Sequence, residues 1–133
     1  MNLDLCGLRG VESCSENDSA LEVSRTLRDK KTRYLVVLEG EVPKGIISVT
    51  DINNRVVAEG KNPEKTKAKD IMTKSLMVKE VGEDLTQVYL EMLKRNIYSC
   101  VVTKKGNVLG MLDLKEAMNC IVKEKNKNGK GKN

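Results

Sequence analysis

The chain repeats itself, and this repeat limits the possible folds more than any other feature of the sequence. At an offset of 65 residues, Gly45-Ile46-Ile47 matches Gly110-Met111-Leu112, and Ser19-x-x-Glu22 matches Asp84-x-x-Gln87 without an intervening gap. A self-match at a fixed spacing is typical of a duplicated structural unit. The sequence therefore predicts two adjacent copies of one small fold.

Each copy is predicted to form a β-α-β-β-α unit. One apolar helix face is predicted from the spacing of Leu85, Val88, Tyr89, Met92 and Leu93. Asp84 with Gln87 resembles a capping box at the start of that helix. A second helix closes each copy. The class is α/β (α+β), and because one copy is too short to bury a sufficient core, the two sheets are expected to pack sheet to sheet. The predicted strands are 11–13, 34–38 and 45–49 in the first copy, and 76–78, 99–103 and 108–112 in the second.

Polar, charged stretches divide the chain. We predict one domain over residues 1–60, a linker over 61–69, a second domain over 70–124 and a disordered lysine-rich tail over 125–133. The net charge is +5, but five lysines and only one glutamate lie from Lys123 onward, so the basic character belongs mainly to the tail. With neither a long apolar run nor a signal peptide at its start, the chain is expected to be cytoplasmic.

The residue types argue against catalysis and against a metal site. The chain contains no histidine, which removes the usual general base near neutral pH. Its four cysteines form no Cys-x-x-Cys pair, so no metal is predicted. Cys100 and Cys120 occupy apolar positions typical of buried thiols, whereas Cys6 and Cys14 have no assigned role. We therefore predict a non-enzymatic protein without a required cofactor.

The stretch from Gly45 to Asp51 carries the most chemical information, because a predicted buried strand runs directly into a helix. Hydroxyls of Ser48 and Thr50 there are able to donate to a phosphate, and the Asp51 carboxylate is able to accept from both hydroxyls of a ribose. Ser48-x-x-Asp51 is equally typical of a helix cap with no ligand. The residues alone leave both interpretations open.

These features together resemble the cystathionine-β-synthase (CBS) domain family, of which two in tandem form a Bateman module. The resemblance rests on the duplicated unit, on Asp70-Ile71-Met72-Thr73 after the linker, and on the Gly-apolar-apolar-Ser/Thr-x-x-Asp motif at Gly45 to Asp51. It implies a pseudo-two-fold module and a homodimer. It also implies a regulatory ligand sensor that binds AMP, ADP, ATP or S-adenosylmethionine in the clefts between the copies and signals to a partner protein.

The resemblance also assigns ligand contacts residue by residue. In the family pattern the hydroxyl of Ser48 contacts phosphate, Asp51 contacts ribose and Thr50 assists. Arg33, just before the second strand, would face the phosphates, although a surface arginine is an equal alternative. The adenine base would lie against apolar residues that have an alternative interpretation as core: Ile71, Leu76 and Ile97.

The second copy departs from the family pattern. Asp113 stands where the hydroxyl belongs, Glu116 where the aspartate belongs, and Tyr98 where Arg33 stands in the first copy. A carboxylate facing a phosphate is unfavourable in a poorly solvated cleft. We therefore predict that Asp113 and Glu116 form a capping box in a degenerate second site, open only to a cationic ligand such as S-adenosylmethionine.

Two other functions fit the sequence. The lysine-rich tail is a candidate for nucleic-acid binding, although three tyrosines are the only aromatic residues available for stacking. A purely architectural dimerisation module would use Ser48 and Asp51 as helix caps alone.

Overall fold

The computed structural model describes the backbone of residues 1–130 and the side chains of residues 1–127. The chain forms two compact units. The first unit is Val11–Leu76 and holds the first copy of the repeat. The second unit holds the second copy, from Met77 onward, together with Met1–Gly10. The first ten residues, assigned from the sequence to the domain over 1–60, therefore pack with the other copy.

Backbone hydrogen bonds explain why the N-terminal segment packs with the second copy of the repeat. Arg9 and Met111 exchange a pair of hydrogen bonds, each 2.9 Å from nitrogen to oxygen. The backbone nitrogen of Leu3 donates to Val81 at 3.1 Å, and that of Leu85 donates to Met1 at 2.8 Å. Local sequence patterns cannot report these pairings, because their partners lie 78 to 102 residues apart.

The first unit has the predicted β-α-β-β-α order. Its elements are β1 (Ser13–Ser15), α1 (Ala20–Asp29), β2 (Tyr34–Glu39), β3 (Val42–Ser48), α2 (Val49–Ile52), a π-helical turn (Asn53–Val57) and α3 (Ala68–Ile71). The sheet order is β1-β2-β3, with β1 parallel to β2 and β2 antiparallel to β3. The prediction of the unit is confirmed, with β1 beginning two residues later than expected.

The second unit repeats this topology. After a 3₁₀ helix (Leu3–Cys6) come β4 (Val78–Glu80), α4 (Leu85–Lys94), β5 (Ser99–Lys104), β6 (Asn107–Asp113) and α5 (Leu114–Lys130), with sheet order β4-β5-β6. The prediction of a disordered tail from residue 125 is wrong as far as Lys130, because α5 continues to that residue. Asparagine and glycine in residues 125–130 are poor helix formers, but adding residues to a helix that packing has already nucleated costs little. Residues 131–133 lie outside the described residues.

Side-chain caps define the start of α1 and of α4, which are the equivalent helices of the two units. Ser19 accepts a hydrogen bond from the Glu22 backbone nitrogen at 3.1 Å, and Asp84 accepts from Gln87 at 3.2 Å. The predicted face of α1 is buried in the core of its own unit, and so is that of α4 except at Leu93, of which 45% is exposed. The first core contains Ala20, Val23, Leu27, Leu35, Val37, Ile47, Val56, Ala68 and Ile71. The second contains Leu3, Met77, Leu85, Val88, Met92, Cys100, Val102, Leu112 and Ala117.

Within residues 1–130, no helix combines the length and the apolar character that crossing a bilayer requires.

Candidate functional site

The junction between β3 and α2 is built around a close crossing of two backbone segments. Ile46 and Thr73 exchange backbone hydrogen bonds of 2.9 and 2.8 Å, which places the segment after α3 across the strand. A Cβ atom on Gly45 would lie 2.8 Å from the Thr73 carbonyl oxygen. Glycine at the start of the motif therefore permits this crossing and brings Thr73 to the end of the strand.

Ser48 and Asp51 form a complete capping box at this junction. The Ser48 hydroxyl accepts from the Asp51 backbone nitrogen at 3.1 Å, and the Asp51 carboxylate accepts from the Ser48 backbone nitrogen at 2.9 Å. The Ser48 hydroxyl also lies 3.2 Å from an Asp51 carboxylate oxygen, so it bonds to the side chain as well as to the backbone. The arrangement has the geometry of a helix cap, which is one of the two interpretations that the sequence left open.

Two further side chains converge on the Asp51 carboxylate. The Thr73 hydroxyl donates to it at 3.2 Å, and the Arg55 guanidinium lies 3.8 Å away. Arg55 also donates to the carbonyl oxygens of Ile71 and Met72, at 3.0 Å each. Only 13% of the Asp51 side chain is exposed, whereas 47% of the Arg55 side chain is. The junction thus holds a largely buried carboxylate, two hydroxyls and a cation within one small cluster.

The remaining residues assigned to the ligand from the sequence have different environments. Thr50 is exposed on α2, and Arg33 is exposed immediately before β2, where its carbonyl accepts from the Val49 backbone at 2.9 Å. Ile71 is completely buried in the core of the first unit. Leu76 is half-buried at the end of the first unit, and Ile97 packs against the core of the second unit.

The equivalent junction in the second unit is occupied by an ion pair. Arg9 donates to both carboxylate oxygens of Asp113, at 2.9 Å each, and the Ser99 hydroxyl donates at 2.9 Å. The hydrogen bond from Arg9 holds the pKa of Asp113 below its usual range. These partners differ from the predicted capping box with Glu116, which lies exposed on α5.

The N-terminal segment reaches Asp113 through a crossing like that in the first unit. A Cβ atom on Gly110 would lie 2.9 Å from the Arg9 carbonyl oxygen and 2.8 Å from the Leu8 Cβ atom. Arg9 in the second unit therefore takes the place that Thr73 has in the first. An arginine paired with Asp113 replaces a threonine hydroxyl bonded to Asp51, and the two junctions offer different chemistry.

Sequence reasoning missed three of the residues at these junctions. Arg55 had a local signal, since it lies four residues after Asp51 on the same helical turn. Thr73 was noted only as the end of the Asp70-Ile71-Met72-Thr73 motif, without a role, and Arg9 had no signal, because tertiary pairing across 22 and 104 residues brings them to their carboxylates. Within the described residues, no three cysteine, aspartate or glutamate side chains cluster as a metal ion would require.

Comparisons with known proteins agree with this fold. The CBS domain family matches the chain twice, over residues 8–58 and 68–123. An uncharacterized protein of Methanopyrus kandleri is 26% identical over 112 residues, which cover 83% of this chain and 57% of that protein. The chain thus spans little more than half the length of this relative.

Solved structures extend the comparison. Hypoxic Response Protein I, solved with two coordinated zinc ions, superimposes with a TM-score of 0.77 at 13% identity, covering 90% of this chain and 98% of the other. OpuCA of Staphylococcus aureus gives a TM-score of 0.73 at 14% identity, covering 88% and 97%. At these identities the likeness concerns the fold. With both copies matched by the family, the chain belongs to the CBS domain family as a tandem pair of the Bateman-module type.

Proposed function

We propose that this chain is a non-enzymatic regulatory module that binds AMP, ADP, ATP or S-adenosylmethionine through the β3–α2 junction and signals its state to a partner protein. The observation that carries the proposal is the cluster around Asp51. Its carboxylate, the Ser48 hydroxyl and the Arg55 guanidinium supply a ribose acceptor, a phosphate donor and a neutralising cation within about two helical turns of chain. Thr50 and Arg33 are both exposed, and we propose them as further donors to the ligand at this junction.

Ligand binding at this junction requires an exchange of hydrogen bonds. Asp51 accepts from the Thr73 hydroxyl at 3.2 Å, and a ribose hydroxyl would replace that donor. The 2.9 Å hydrogen bond from the Ser48 backbone nitrogen would hold the Asp51 carboxylate in place while this donor is replaced. Arg55 lies in a π-helical turn. This geometry is rare in proteins, and where it occurs it is frequently part of a functional site. Its half-exposed guanidinium is close enough to Asp51 to be redirected toward a phosphate.

The second junction is proposed as a weaker or empty site for anionic ligands. Arg9 already neutralises Asp113, and a phosphate approaching this pair would compete with the carboxylate for the guanidinium. A ligand with a sulfonium group avoids this competition. S-adenosylmethionine is therefore the adenosine compound that would bind at this second junction.

Isothermal titration with AMP, ATP and S-adenosylmethionine tests the proposal. We expect micromolar binding near one site per chain, lost in Asp51→Asn and retained in Glu116→Gln, which changes the matching position of the second copy. Equal binding by Asp51→Asn, or no binding of any of the three compounds, would refute the site and favour the architectural alternative. Salt-sensitive binding of nucleic acid, lost on deletion of residues 123–133, would instead support the tail as the binding element.

A homodimer through the second unit is the proposed assembly. Between α4 and the start of α5 lies a groove of about 530 Å³, and 74% of Tyr98 at its edge is exposed. The groove is lined largely by apolar and aromatic side chains, Tyr89, Leu93, Tyr98, Leu114 and Met118. The matching positions of the first unit are Ser24, Arg28, Arg33, Val49 and Asn53. A second copy is the proposed occupant, because this apolar face is self-complementary whereas the arginine-containing face repels its own copy.

A further inference from the structure

Cys6 and Cys120 are neighbours at one cavity of the second unit. Cys6 ends the 3₁₀ helix Leu3–Cys6 and Cys120 lies on α5, and these two elements pack together. Both cysteines are free and half-buried. They line one small cavity of about 90 Å³ together with Leu5, Glu116, Asn119 and Lys123, so one carboxylate and one ammonium group face the pair. Two thiols far apart in sequence are thus held together on a surface that small molecules can reach.

The other two cysteines have different surroundings. Cys100 is completely buried in β5, where its thiol donates to the Val101 carbonyl oxygen at 3.5 Å. Cys14 lies in β1, in the other compact unit. Cys120 was predicted to be a buried structural thiol, but it is partly exposed. Among the described cysteines, only Cys6 and Cys120 line one cavity together and so offer each other an intramolecular partner.

We propose that Cys6 and Cys120 form a reversible disulfide by exchange with a low-molecular-weight disulfide such as oxidised glutathione. One thiolate attacks the oxidised glutathione and releases one glutathione thiol. The neighbouring thiolate then attacks the mixed disulfide and releases the second. The protein loses two protons and two electrons, and one molecule of oxidised glutathione becomes two of reduced glutathione. The position of both thiols at one cavity favours the second step, because an intramolecular attack has a high effective concentration.

The environment of the pair sets its reaction rate. Burial, the hydrogen bond with Cys120 and the charge of Glu116 raise the pKa of Cys6 to about 12. At neutral pH Cys6 is therefore a thiol, and the thiolate that reacts is scarce. Oxidation should be slow near pH 7 and should accelerate as pH rises toward that pKa. The pair is suited to a slow response to the ambient redox balance rather than to rapid scavenging of oxidants.

The disulfide would fasten the N-terminal segment to the end of the second unit. In the reduced protein that segment is held by Leu3 in the core, by the backbone pairing with Met111 and by the Arg9–Asp113 ion pair. A covalent bond from Cys6 to α5 closes a loop that contains most of the chain. Oxidation therefore locks Arg9 across Asp113 and stabilises the second unit against release of its first ten residues.

Peptide mapping after incubation with oxidised glutathione at pH 8.5 tests the proposal in the full chain. We expect a peptide that joins Cys6 to Cys120, loss of two of the four thiols to a colorimetric reagent, and a higher urea midpoint than in the reduced protein. The Cys14→Ser/Cys100→Ala variant should form the same bond. Cys6→Ser should accumulate only the mixed disulfide with glutathione and show no shift of the urea midpoint.

Three outcomes would overturn the proposal. They are glutathione on both cysteines with no joined peptide, a bond between two chains in place of the internal one, or an oxidation rate that does not rise with pH. If the Cys14→Ser/Cys100→Ala variant does not fold, peptide mapping of the wild-type chain is a sufficient test. The mass of the disulfide-linked peptide shows which two cysteines are joined.

Discussion

The Thr73 carbonyl oxygen lies 2.8 Å from the position that a Cβ atom on Gly45 would occupy. Two backbone segments approach so closely here that only glycine fits, and the hydrogen bonds between Ile46 and Thr73 hold them together. The same approach recurs at Gly110. The repeated glycine of the motif is thus explained by a backbone crossing in each unit, independently of any ligand.

Gly45→Ala should therefore destabilise the first unit. The Met72 side chain can move, but the Thr73 carbonyl belongs to the backbone, and relief of the clash would lengthen its bonds to Ile46. We expect a loss of about 1–3 kcal/mol in the free energy of unfolding, measured by urea denaturation. Gly82→Ala is the matched control, because a Cβ atom there would meet nothing within 4 Å. Equal stability of both variants would contradict the crossing.

The sequence predicts the fold far better than the site. Repeated patterns of local spacing specify the capped helices and the strands that follow them, and the β-α-β-β-α order is confirmed in both units. The crossing segments are not local. Nothing near Asp113 in the sequence indicates that Arg9 will pair with it, because the folded backbone alone joins residues 104 apart.

The full length of α5 was also not predicted from the sequence, because the tail was judged by its own composition and not by the helix that precedes it. The composition after residue 124 is that of a solvated tail, yet α5 continues to Lys130. Composition reports whether a segment can bury itself. It does not report that a packed helix directly before the segment can extend into it at little cost.

Replacement of two capping serines should separate the structural and functional roles of the β3–α2 junction. Ser19 caps α1 with one bond of 3.1 Å, and Ser48 caps α2 with an equal bond while also contacting the Asp51 side chain. Each change to alanine should cost about 1 kcal/mol of stability, measured by urea denaturation. Ser48→Ala alone should also weaken nucleotide binding. Equal nucleotide affinity in both variants would mean that Ser48 is a cap only.

The Arg9–Asp113 pair should stabilise the second unit in a pH-dependent way. The pKa of Asp113 is lowered by Arg9, so its contribution is present above the unfolded pKa near 3.8 and is lost as pH falls through the folded value. Arg9→Gln should lower the urea midpoint at pH 7 but not at pH 2. Both side chains are partly exposed, so the loss should be about 1 kcal/mol or less. An equal loss at both pH values would assign the effect to packing rather than to charge.

Glutamate at position 93 should break the proposed dimer. Leu93 is 45% exposed beside Tyr98 and Met118, and burial of a carboxylate there against a second copy would cost desolvation free energy that burial of leucine does not. Light scattering over a concentration series should show Leu93→Glu dissociating at concentrations at least about tenfold higher than the wild type. Arg28→Glu, at the matching position of the first unit, should leave the association unchanged. If Arg28→Glu dissociates the protein and Leu93→Glu does not, the first unit forms the interface instead, and the apolar groove must be assigned to another partner.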